Sequence, residues 1–292
     1  MPENGEENKM KKFLVLIVFA MIMIFALSCG NEKKSSGYEL ALITDVGTID
    51  DRSFNQGSWE GLKKYAEEKG ITHKYYQPTE KTTDAYIDSI DLAVAAGAKI
   101  VVTPGFLFEP AIYKAQDIHP EVNFVLLDGS PQDGNYQDFR IEKNVYSVFY
   151  AEEEAGFLAG YGAVKEGYTN LGFMGGMAVP AVVKFGYGFV QGVNYAAKEL
   201  GIRNVKADYN YLGGFNPSPE IQTKAASWYR NGVQVIFVAG GGAGNSVMSA
   251  AEQNNGYVIG VDVDQSSESP TVITSAMKMI GESVYNAIDE FY

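Results

Sequence analysis

From Glu39 onward the chain alternates short runs of apolar, often β-branched residues with longer stretches in which apolar positions recur every three or four residues. The short runs predict strands at 39–45, 73–77, 99–104, 123–128, 170–175, 205–211, 234–240 and 257–262. The longer stretches predict helices at 53–69, 83–97, 109–117, 152–166, 180–199, 218–231 and 245–254. Strands this apolar are buried on both faces, and their alternation with helices implies an α/β fold of two parallel sheets, each with helices on both sides.

About 255 residues follow the N-terminal segments, enough for two lobes with one core each. Asn144 to Tyr150 is an extended aromatic stretch leading to Glu152–Glu154, and Ser147–Ala151 reads as a crossover strand. A second crossover is expected within Gln265–Pro270, where turn-forming residues cluster. The expected division is a first lobe of 38–147 plus 271–292 and a second lobe of 148–270, joined by a hinge.

The N-terminal region changes the picture. Lys11-Lys12 precede fifteen uninterrupted apolar residues, Phe13–Leu27, followed by Ser28-Cys29-Gly30. This is a secretory signal over 1–28, too short for a comfortable membrane span. Cys29, the single cysteine, stands where a bacterial lipoprotein is cut and acylated, which places the mature protein on the extracytoplasmic face of the cell membrane. Residues 29–37 then form a polar tether. Cleavage removes three lysines and three glutamates, leaving the formal charge of -13 unchanged. Such a chain lacks the basic face that nucleic acid requires.

Candidate chemistry collects at strand ends. Asp45 and Asp128 close the apolar runs LITD and FVLLD and project from the carboxyl edge of one sheet, where open α/β sheets bind ligands. Asp51 or Ser53 can cap the helix beginning near Phe54, and Asn55 is a two-way hydrogen bonder beside it. Asp45, Asp50 and Asp51 would repel a phosphate, so the loop suits a planar polar ligand better. Gly213-Gly214 brings Phe215 to a loop tip, whereas Phe185, at helical spacing with Phe189 and Val193, reads as core. Gly240–Gly244 follow a strand but lack the lysine of a phosphate loop. Asp262 ends the strand that should enter the hinge. Lys278 has the ordinary reading of a helix-start surface lysine. Two distant histidines and one cysteine make neither a triad nor a zinc site, so no catalytic residue, metal or cofactor is expected.

The blocks TDVGTIDDRSFNQGSWEGL, VVTPGF, FVLLDG, NLGFMGGMAVPAVVKFGYGFVQG, YLGGF, VIFVAGGGAGNSV, IGVDVDQ and ITSAMK occur in this order from Thr44 to Lys278. In them the chain resembles the basic membrane protein (PnrA-like) family of substrate-binding lipoproteins, which feed ABC importers. The resemblance implies a type I periplasmic binding protein fold, with a purine nucleoside held between the lobes and no enzymatic activity. It further implies that Asp45, Asn55 and Asp128 read the base edge and that Phe54 is one face of an aromatic sandwich. Phe215 is preferred over Phe185 as the other face. Gly240 would offer backbone amides to a sugar hydroxyl, and Asp262 and Lys278 would hold the ribose. The implied partners are an ABC permease with its ATPase and the membrane through the lipid anchor, the receptor itself being a monomer. Family members run on for several elements beyond the helix in which Tyr292 falls. A sugar or autoinducer receptor of the same fold, or a nucleoside hydrolase with clustered acids on calcium, are the alternatives.

Overall fold

The computed structural model describes residues 39–45 and 47–292. The signal segment, Cys29 and the tether lie outside the described residues. Among those described, no helix is long and apolar enough to cross a membrane.

The first lobe is built from β1 (Leu40–Ile43), α1 (Phe54–Lys69), β2 (His73–Tyr76), α2 (Thr83–Ala95), β3 (Ile100–Pro104), a 3-10 turn (Phe106–Phe108), α3 (Glu109–Ile118), β4 (Asn123–Leu127) and β5 (Val145–Val148). Its strands run parallel in the order β2-β1-β3-β4-β5. Alternation along a strand divides its side chains between two cores. Ala41 and Ile43 face Tyr86, Ile90 and Ile112 of α2 and α3, while Leu40 and Leu42 face Leu62 and Tyr65 of α1. Local chemistry sets the helix ends. Thr82 caps α2 by accepting from the Ala85 amide at 3.2 Å, and α1 stops at Gly70, whose φ of 69° is the left-handed conformation glycine adopts without strain.

The second lobe contains α4 (Glu152–Lys165), β6 (Asn170–Gly175), α5 (Pro180–Leu200), β7 (Lys206–Tyr211), α6 (Pro219–Arg230), β8 (Val235–Ala239), α7 (Ala243–Asn254), β9 (Tyr257–Asp262) and β10 (Val272–Met277). Its parallel order is β10-β9-β8-β6-β7. Leu171, Phe173 and Phe237 pack under α4 and α5, and Met174, Ile236 and Val238 under α6 and α7. Helices α4 and α5 touch backbone to backbone. A Cβ on Gly156 or Gly160 would lie 2.2 Å from the carbonyl oxygen of Phe185 or Phe189, and one on Gly188 or Gly192 would lie 2.0 Å from that of Glu153 or Phe157.

The two parallel α/β lobes agree with the sequence reading, but both crossovers fall elsewhere. Ser147 and Val148 pair with Leu126 and Leu127 of β4, so the first crossing begins at Phe149. Val272–Met277, assigned to the first lobe, pairs with β9 as an edge strand of the second sheet. Gln265–Pro270 is therefore a connection inside the second lobe, fastened by Gln265: its Oε1 accepts from the Val261 amide at 3.0 Å and its own amide donates to Ser275 Oγ at 3.1 Å. The chain returns only at Met277–Ile280, and α8 (Ile280–Asp289) then packs beside α1. That contact is close, since a Cβ on Gly61 would sit 2.3 Å from the Gly281 carbonyl oxygen.

Candidate functional site

A cleft with a cavity volume of ≈ 290 Å³ lies between the carboxyl ends of the two sheets. All eight residues expected at the site, Asp45, Phe54, Asn55, Asp128, Phe215, Gly240, Asp262 and Lys278, line it.

On the first-lobe side the loop after β1 is organised by acids. The Asp51 carboxylate, not Ser53, caps α1: it accepts from the Ser53, Asn55 and Gln56 amides at 2.9, 3.1 and 3.1 Å. This satisfies helix amides that have no intrahelical partner and sets a negative charge at the positive end of the helix. Asn55 is buried and occupied on both sides of its amide. Its Nδ2 donates to Asp45 Oδ1 and to Asp51 Oδ2 at 2.9 Å each, and its Oδ1 accepts from the Asp45 amide at 3.3 Å. In this structure Asn55 thus orients the two acids and has little capacity left for a ligand. Phe54, in the first turn of α1, is half-buried between the core and the cleft.

The second lobe supplies a glycine-lined wall. The Phe215 ring lies against the backbone of Gly176, where a Cβ would meet ring carbons at 2.4 Å, and the Phe215 carbonyl accepts from the Ala243 amide at 2.7 Å. Gly240, Gly241 and Gly242 line the cleft where α7 begins, and Val179–Val182 line it where α5 begins. Neither helix start has a side-chain cap; at α7 the Ala243, Gly244 and Asn245 amides are taken up instead by backbone carbonyls of Phe215, Gly241 and Gly242. Phe185, read as core, is indeed buried there at 2% exposed, and it is also among the residues lining the cleft.

Where the lobes join, Lys278 is buried among three carboxylates. Its Nζ lies 2.5 Å from Asp128 Oδ2 of the first lobe and 2.9 Å from Glu152 Oε1 of the second, and about the same ammonium stand the rings of Phe54 and Tyr150, each 5.0 Å away. Burial alone would pull the Lys278 ammonium down, yet Asp128, Asp262 and Glu152 outweigh it and hold it above its ordinary value. Burial pushes the Asp128 carboxyl up to about 7; Lys278 opposes this, while Glu152 and Asp262 add to it. Burial likewise raises Asp262. Burial also works against ionised Glu152, but Lys278 holds it below the usual range. Asp128 Oδ1 is buried without a partner among the described residues.

A clasp crosses from one lobe to the other beside this cluster. Ser53 Oγ donates to Asp262 Oδ2 at 2.6 Å, Gln265 Nε2 donates to the Arg52 carbonyl at 2.7 Å, and Arg52 pairs with Glu268. Arg52 and Asp262 hold positive φ values of 59° and 68°, uncommon for residues other than glycine.

Lys278 is therefore no surface lysine, and Asp128 stands with Lys278 and Asp262 rather than with Asp45 and Asn55. Sequence reading missed Glu152, Ser53 and Asn245 as parts of the cleft or its frame. Glu152 was visible only as the first acid of a helix start, a pattern common on solvated helices. Among the described residues no group of His, Cys, Asp or Glu is placed to hold a metal ion.

Two parallel α/β lobes around a cleft of strand-end acids and aromatics define the periplasmic-binding-protein class. Solved structures agree. The ABC transporter solute-binding protein from Aeropyrum pernix superposes with a TM-score of 0.75 at 26% identity, over 87% of this chain and 70% of that one. A periplasmic binding protein/LacI regulator from Alkaliphilus metalliredigens, complexed with D-xylulofuranose, shares the fold at a TM-score of 0.61 and 14% identity, over 86% and 89% of the two chains. The chain belongs to the Bmp family, whose description is ABC transporter substrate-binding protein PnrA-like; the family model matches residues 38–292. It is thus a substrate-binding protein, not an enzyme. Relatives include the ABC transporter nucleoside-binding protein BmpA of Lactococcus lactis, 31% identical over 88% of this chain and 76% of the relative. Basic membrane protein A1 of Borrelia garinii is 31% identical over 94% and 79%.

Proposed function

We propose that this protein captures a purine nucleoside in the cleft and presents it to an ABC permease and its ATPase on the extracytoplasmic face of the membrane, to which Cys29 anchors it. One observation carries the reading. A single cavity receives an aromatic ring from each lobe, Phe54 and Phe215, together with carboxylates at the junction of the lobes. The base stacks on Phe54 and Phe215, with its polar edge toward Asp45 and the loop that Asn55 and Asp51 hold in place. The ribose hydroxyls face Asp128, Asp262 and Lys278, with Gly240 and its neighbours offering backbone N–H groups. A nucleoside is neutral, so it enters an acidic cleft without the repulsion a phosphate would meet. Contacts from both lobes favour the closed state by their differential affinity for it.

The relative named for nucleoside binding supports this substrate class over a simple sugar. A thermal-shift panel of nucleosides, free bases and pentoses tests it: purine nucleosides should raise the melting temperature most. A shift produced by pentoses alone would move the assignment to a sugar receptor.

A further inference from the structure

The junction of the lobes buries three carboxylates around the Lys278 ammonium, while the half-exposed Lys184 Nζ lies 3.3 Å from Glu152 Oε2 at its edge. Asp128 closes β4, Asp262 closes β9, and Glu152 opens α4; Lys278, which follows β10, sits between them. The side chains of Lys278 and Glu152 are 3% and 2% exposed and that of Asp128 10%, so solvent screens the excess negative charge poorly. The Tyr150 phenol on the crossing segment and the Lys184 ammonium beside Glu152 also face this cluster. One oxygen of Asp128 is saturated by Lys278, whereas the other is buried with no donor among the described residues, and Asp128 itself is one of the residues lining the cleft. An unpaired buried carboxylate oxygen is costly, and two remedies exist: a proton, or a donor from a ligand.

We propose that ligand capture in this cleft is coupled to release of a proton from the Asp128 cluster, so that the receptor holds its ligand at neutral and alkaline pH and loosens it in acid. The inference rests on the nucleoside reading above, in which ribose hydroxyls meet Asp128. Because Asp128 Oδ2 accepts from Lys278, a proton on this carboxyl sits on Oδ1, and a ribose hydroxyl that donates to Oδ1 displaces that proton to solvent. The free protein carries that proton part of the time because burial pushes Asp128 up to about 7. With the ionised form as the form that binds, affinity at pH 6 should be about tenfold lower than at pH 8.

The test has a ligand-free arm and a ligand arm. Carbon-13 NMR of Asp-labelled free protein should show one carboxyl titrating between about pH 6 and 8, absent in Asp128→Asn and moved to lower pH in Glu152→Gln, which removes a neighbouring negative charge. Calorimetric titration with inosine in two buffers of different ionisation enthalpy should show net proton release at pH 7 in the wild type and none in Asp128→Asn. A free protein with no carboxyl titrating in that window, or inosine affinity constant from pH 5.5 to 8.5, overturns the coupling. Persistence of the titration with no nucleoside bound at any pH refutes the nucleoside reading, and the coupling to a ribosyl ligand with it.

Discussion

Phe54 shows how a single residue is divided between fold and site. It begins α1, packs partly on the first-lobe core, and turns its remaining face to the cleft. Phe54→Ala should weaken nucleoside binding by about 1–3 kcal/mol, the range for one base–aromatic stack, while circular dichroism remains that of a folded protein. Wild-type affinity in the folded variant would return Phe54 to the core alone. Asp128 makes a second prediction, about stability. Its carboxyl is raised toward 7 in the folded chain, whereas an unfolded aspartate titrates near about 3.9. Between those values the native state holds a proton that the unfolded chain releases, so the contribution of this group to stability falls as pH rises through the window. Thermal melts should therefore show the wild type losing ground to Asp128→Asn from pH 5 to 8. A difference that stays constant with pH would contradict the raised carboxyl. The sequence revealed the strand-end position of Asp128 but not its neighbours. Lys278 and Glu152 reach it only because β10 and α4 meet at the lobe junction, a contact across more than a hundred residues that no local pattern encodes.

At the scale of elements, periodicity located β1–β4 and β6–β9 and the helices between them, because strands buried on both faces read as continuous apolar runs; β5 reads instead as a crossover over Ser147–Ala151. It missed β10, and the reason lies in Val272–Met277 itself. Thr274 and Ser275 interrupt the apolar pattern, and as an edge strand it is largely exposed, so the run lacks the signature of a central strand. The turn-rich Gln265–Pro270 then looked like a passage between lobes. The α4–α5 contact was equally hidden: glycines inside helices usually weaken them, and only the packed structure shows that Gly156, Gly160, Gly188 and Gly192 allow backbones to meet. Gly192→Ala would drive a methyl to 2.0 Å from the Phe157 carbonyl oxygen. Its overpacking cost, about 1–3 kcal/mol, should exceed the gain in helix propensity of about 1 kcal/mol. Urea denaturation should find the variant less stable, and an unchanged or raised midpoint would mean that the two helices can separate without penalty.

For the whole molecule, the return of the chain at Met277–Ile280 ties both lobes to the cleft. Lys278 lies on that return, and the Ser53–Asp262 and Gln265–Arg52 hydrogen bonds bridge the lobes beside it. Ligand contacts, hinge and clasp thus share residues, and binding energy can act directly on closure. The division of labour proposed above places the base toward Phe54 and Phe215 and the ribose toward Asp128, Asp262 and Lys278. Calorimetric titration of the purified protein with inosine, 2′-deoxyinosine, hypoxanthine and ribose tests it most directly. Inosine should bind most tightly, 2′-deoxyinosine more weakly through loss of a hydroxyl to the carboxylates, and neither hypoxanthine nor ribose alone should approach inosine. Equal affinity for ribose and inosine, or no binding of any nucleoside, would contradict capture of a whole nucleoside between the lobes.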